Sequence, residues 1–73
     1  MHTLYIHIDE TQNAAAIEAL KAELLRLPYV THVEMSPREP HDVLVEFEPD
    51  HEVPMAVLSK LSSRGLHPDV ISA

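Results

Sequence analysis

Cysteine is absent from this 73-residue chain. With it go disulfides, thiol nucleophiles, iron–sulfur ligation and thiolate metal sites. Tryptophan is also missing, and two tyrosines and one phenylalanine are the only aromatics, too few for a platform on which bases stack. Five basic residues face twelve acidic ones, leaving a net charge of −7. Nucleic acid, whose binding rests on neutralising phosphates with Lys and Arg, is therefore not an expected partner. No apolar run is long enough for membrane insertion. The segment MHTLYIHID lacks the basic region and apolar stretch of a signal peptide, which points to the cytoplasm. Glycine occurs once, so only one position is freely suited to positive-φ backbone.

What remains is short and strongly patterned. A chain of this length is expected to form a single domain, 1–73, burying only ~60% of its unfolded surface. Stability of about 3–5 kcal/mol follows. Leu4, Ile6 and Ile8 alternate with Thr3, Tyr5, His7 and Asp9, the period-2 signature of a strand with one buried face. The period then changes. Ile17, Leu20, Leu24 and Leu27 recur at helical spacing among five alanines at 14, 15, 16, 19 and 22, which are strong helix formers. Thr11 or Asn13 is placed to cap the helix start, and Pro28 stops it.

VTHVEMS again alternates, with Val33 and Met35 on one side. PREPHD reads as a hairpin loop, and VLVEFEP resumes the alternation through Val43, Val45 and Phe47. Pro54 suits the first turn of a second helix with an apolar stripe of Val57, Leu58 and Leu61. Gly65 falls where a C-terminal cap needs positive φ, and LHPDVIS closes as a last strand. The order β-α-β-β-α-β is the ferredoxin-like α+β arrangement, with both helices expected on one face of a four-stranded antiparallel sheet. The predicted core is Leu4, Ile6, Ile8, Ile17, Leu20, Leu24, Val33, Met35, Val45, Phe47, Val57, Leu58, Leu61 and Val70.

AIEALKAELLRLPYVTHVEM and DVLVEFEPDHEVPMAVLSKLSSRGLHP resemble the helix, strand and turn segments of the heavy-metal-associated domains, the modules of copper chaperones and of metal-transporting P-type ATPases. The resemblance spans nearly the whole chain and implies metal handling and a metal-transport partner. The family's Met-Thr-Cys-x-x-Cys motif falls in the loop after the first strand. Matching Ile17, Ala19 and Leu20 to the family pattern puts Ile8 at the methionine, Asp9 at the threonine, Glu10 at the first cysteine and Asn13 at the second. His7 takes the place of a glycine. Glutamate and asparagine supply hard oxygen where Cu(I) requires paired soft sulfur, so the family's thiolate chemistry does not carry over.

Imidazole and carboxylate are ligands for Zn²⁺, Ni²⁺ or Cu²⁺, or for Mn²⁺ with waters. The candidate metal set is His7, Asp9 and Glu10, with His67 contributed by the last strand and Asp69 near it. His2, His32, His41 and His51 read as solvated strand and loop residues. The open sheet face is expected to carry Tyr5, His7, His32, Glu34, Leu44, Glu46, His67 and Ile71. Its apolar members suggest a homodimer or docking on another domain, independent of metal. Helix-dipole and capping effects alone account for acids and amides gathered at 9–13. No enzyme is expected. The loop after the first strand has neither the Gly nor the Arg of a phosphate cradle, and no serine has a nucleophile-elbow context.

Overall fold

The computed structural model describes residues 2–49 and 52–72. Its elements run β1 (His2–Ile8), α1 (Ala14–Leu25), β2 (Val30–Ser36), β3 (Glu39–Phe47), α2 (Val53–Ser63) and β4 (Pro68–Ser72). The strands form one antiparallel sheet in the order β2-β3-β1-β4. This is the ferredoxin-like βαββαβ arrangement. The last strand lies beside the first, as the split βαβ topology requires.

Alternation decides which side of each strand is buried. Leu4, Ile6 and Ile8 of β1, Val33 and Met35 of β2, and Val43, Val45 and Phe47 of β3 face the helices. They pack there against Ile17, Leu20 and Leu24 of α1 and Val53, Val57 and Leu61 of α2. No polar side chain is buried among the described residues. Leu58, predicted as core, is partly buried and packs against it.

Three sequence expectations need correction. Val70 faces inward opposite Ile6 but stays 41% exposed. It lies on an edge strand, with β1 shielding it from one side only. The hairpin between β2 and β3 narrows to a turn at Pro37 and Arg38, and β3 already begins at Glu39. Pairing of Ser36 with Glu39 draws most of PREPHD into the sheet. Pro40 is tolerated there because backbone pairing is irregular near the turn, with a register shift between Glu34 and Ser36. Finally, α1 ends at Leu25, before Pro28. Leu27 N–H bonds Leu24, and Val30 N–H closes a turn on Leu27 at 3.3 Å. Tyr29 takes φ 70° in that turn.

The end of α2 accounts for a core residue absent from the sequence-based list. Gly65 adopts φ 81°. Its N–H bonds the Ser62 carbonyl at 3.0 Å and the Leu66 N–H bonds the Leu61 carbonyl at 3.1 Å, which together make a Schellman cap. That cap turns Leu66 back onto Leu61, and both are buried.

Candidate functional site

The polar junction between β1 and α1 sits at one end of the sheet, next to the loop that leads from α2 into β4. Asn13 caps α1, its Oδ1 accepting the Ala16 N–H at 2.8 Å. Of the two capping candidates, Thr11 is engaged elsewhere. Its hydroxyl lies 3.2 Å from Nε2 of His41. The other ring nitrogen, Nδ1, donates to the Ile8 carbonyl at 2.8 Å. A carbonyl only accepts, so Nδ1 carries the proton of that bond, and the Thr11 hydroxyl, able to donate or accept, partners Nε2.

His41 therefore ties β3 to the end of β1 and to the loop after it. The expectation that His41 is one of the solvated strand and loop histidines is corrected: it lies in β3, half-buried, with both ring nitrogens engaged. His41 also stacks on His7, with ring centroids 5.5 Å apart and planes 23° from parallel.

His7 projects from the open side of β1, with Asp42 and Asp69 as its cross-strand partners. Its Nε2 lies 3.8 Å from Oδ1 of Asp9, a loose, largely exposed pair that stabilises little. Glu10 is more firmly held. Its carboxylate accepts the backbone N–H of His67 at 2.9 Å and also pairs with Nδ1 of the same residue. His67 precedes β4, so it belongs to this corner and not to the open face where the sequence placed it. The hydrogen bond from the His67 ring, then that from its backbone, holds the Glu10 carboxyl below its usual range. The same hydrogen bond and the Glu10 charge raise the His67 imidazole, with Asp9 adding to the effect.

The sequence-predicted ligands thus come together as two pairs, His7–Asp9 and Glu10–His67. Among the described residues no group of three or more His, Asp or Glu side chains is gathered to hold a metal ion. Glu10 and Asn13, at the positions matched to the family's cysteines, are both engaged in hydrogen bonds within the chain. His41 is the corner residue that sequence reasoning missed. The available signal was its place across the sheet from Ile8 once β3 is extended toward Pro37. His51 lies outside the described residues, and among them no helix is long and apolar enough to cross a membrane.

No family model and no curated sequence matches the chain. Solved structures do match, over almost its entire length. A copper-binding domain from a P-type ATPase superposes with a TM-score of 0.84 at 14% identity, covering 99% of this chain and 96% of that one. The yeast copper transporter domain CCC2A gives 0.84 at 11% identity, with 99% and 97% covered. Oxidized MerP from Ralstonia metallidurans CH34 gives 0.82 at 13% identity, with 97% of each chain covered. The chain has the ferredoxin-like fold of the heavy-metal-associated domains, without a cysteine to form their metal motif.

Proposed function

We propose that this protein is a small, non-enzymatic metal-handling module that works without a thiolate site. It handles metal by taking a divalent ion (Zn²⁺, Ni²⁺ or Cu²⁺) through His7, Asp9, Glu10 and His67, or by contact with a metal-transport partner. The observation that carries this reading is the arrangement of two imidazole–carboxylate pairs at the corner between β1, α1 and β4. Register sets them side by side: His7 is opposite Asp69 and Ile8 opposite Pro68, so Asp9 and His67 follow as neighbours. The donor set suits borderline divalent ions and not Cu(I). Because three donors are not gathered beforehand, a metal must draw Glu10 away from the His67 backbone, which keeps affinity modest.

Titration of ¹⁵N-labelled protein with each ion, followed by amide NMR, tests the reading. Saturable shifts confined to residues 7–10 and 66–69, lost in His7→Ala and retained in His51→Ala, support it. Unsaturable shifts spread over all six histidines would remove it. Binding should weaken as pH falls toward ~6.5, where an ordinary imidazole takes a proton and ceases to be a ligand. His67, raised by Glu10, should be lost before His7 reaches that range. Competition with a strong Cu(I) chelator should show no tight stoichiometric Cu(I) binding.

A second reading, an interaction domain independent of metal, is favoured by one observation: the corner is closed by its own hydrogen bonds, with Glu10 on His67 and Asn13 on Ala16.

A further inference from the structure

The open face of the sheet has an order that the fold does not require. Leu44 lies opposite Tyr5, and Tyr5 opposite Ser72. The register shift between Tyr5 and Ile6 leaves Ile71 as an extra residue in β4, and such a bulge re-aims its side chain. Tyr5, Leu44 and Ile71 line one surface concavity, with Tyr5 48% and Ile71 66% exposed. This apolar row runs between two polar ones. On one side Asp42, His7 and Asp69 are in register, and on the other His32, Glu46 and Thr3. Glu34, opposite Leu44, closes the end of the apolar row.

The distribution of basic residues is the second observation. None of the chain's five lysines and arginines lies on a strand. Lys21 and Lys60 are in the helices, Arg26 and Arg64 cap them, and Arg38 is in the hairpin turn. Two are further engaged with Glu23, which pairs with Arg64 and lies 3.9 Å from Lys60. The molecule is thus polarised. The strands of the open face carry carboxylates and histidines around an apolar strip, Glu34 lying 3.9 Å from Nε2 of His32, while the cations sit on the helical layer and, as Lys21 and Arg38, at the rim of the concavity.

We propose that this open face docks a basic protein partner, seating apolar side chains of that partner on Tyr5, Leu44 and Ile71 while its Lys and Arg meet Glu34, Asp42, Glu46 and Asp69. Charge decides between occupants. A second copy laid face to face would set these carboxylates against their own kind in chains of net charge −7, whereas a basic surface neutralises them and is steered in. Cα extents of 32 × 21 × 21 Å make the face comparable to the ~800 Å² per partner of a standard interface. A helix laid across it fits. The surface meets the proposed metal site only at His7, and with chelator present it stands whether or not a metal binds at Glu10 and His67.

The probe is a synthetic amphipathic helix with leucines on one side and lysines and arginines on the other, added to the full ¹⁵N-labelled chain with chelator present. Saturable shifts should map to residues 3–7, 42–46 and 69–72. Affinity should fall steeply with added salt. The double variant Leu44→Thr with Ile71→Thr should weaken it at least about tenfold, by the apolar contact removed. Glu34→Lys with Glu46→Lys should abolish it. All four positions face outward, so unchanged urea midpoints keep the variants interpretable. Three results would overturn the proposal: equal binding of an all-polar basic peptide, shifts scattered over every acidic residue, or a free protein that sediments as a dimer dissolved by Ile71→Thr. The last would give the face to a second copy.

Discussion

The two sides of the sheet are built from alternate residues of the same strands, yet they answer to different demands. On the helix side every position from Leu4 to Phe47 named in the core is at most 8% exposed. There the requirement is apolar character and fitting volume, which many side chains meet. That tolerance is why solved domains sharing only 11–14% identity superpose so closely. On the open side, Tyr5 is exposed and His7, Leu44 and Glu46 are half-buried, so core volume constrains them less. Their identity is set by demands other than core volume, and at the corner the chain lacks the cysteines of the family it resembles.

The largest contrast should be seen by truncating neighbours on β1. Ile6→Ala removes a 2%-exposed side chain and should cost about 2–5 kcal/mol. Against an expected total of ~3–5 kcal/mol, that leaves much of the protein unfolded. Tyr5→Ala, one residue away on the other side, should cost less than ~1 kcal/mol. Urea unfolding measures both, and equal losses would mean that the open face is covered in solution. Val70→Ala refines the comparison. As an inward residue on an exposed edge it should behave more like Tyr5, at about 1 kcal/mol or less.

These differences also mark how far the fold was legible in sequence. Periodicity alone placed Leu4, Ile6, Val45, Ile17 and Leu61, because burial on one side of a strand or helix imposes a repeat that survives in any single sequence. Val70 was misplaced because periodicity tells which way a side chain points, not whether anything lies above it. Leu66 was missed because its burial comes from the three-dimensional closure of the Gly65 cap. The corner was legible only as a list of polar residues. That His67 would close on Glu10, or His41 on the Ile8 carbonyl, depends on loop geometry, and no repeat encodes it.

Helix termini add a third kind of position, exposed yet fixed by backbone demand. Gly65→Ala meets no steric obstacle, since a Cβ there has open space around it. The strain comes from φ 81°, and the loss should be about 1 kcal/mol. Asn13→Ala leaves the Ala16 N–H without its partner and should also cost about 1 kcal/mol, with Asn13→Asp largely neutral. Thermal unfolding resolves losses of this size in a domain of this length. If Asn13→Ala proves harmless while Thr11→Ala does not, the cap has passed to the other candidate.

The smallest expected effect belongs to the Glu10–His67 pair, and its pH dependence has a definite sign. Glu10 is held below its usual range, so its contribution is present above about pH 4.3 and disappears as pH falls through the lowered folded value. His67 is raised, so its contribution is present below about pH 6.5 and disappears as pH climbs through the raised folded value. The two overlap fully between about pH 4.3 and 6.5, where the carboxylate and the imidazolium are both charged. Above that window Glu10 still accepts the His67 backbone N–H, so part of the tie survives while the ionic part goes. Wild type and Glu10→Gln should therefore differ most in urea midpoint near pH 5.5, with the gap narrowing on both sides. The pair is solvent-exposed and its charges are screened, so added salt should shrink the gap further. A gap that stays constant from pH 5 to pH 9 would assign the whole effect to the backbone hydrogen bond and none to the imidazolium.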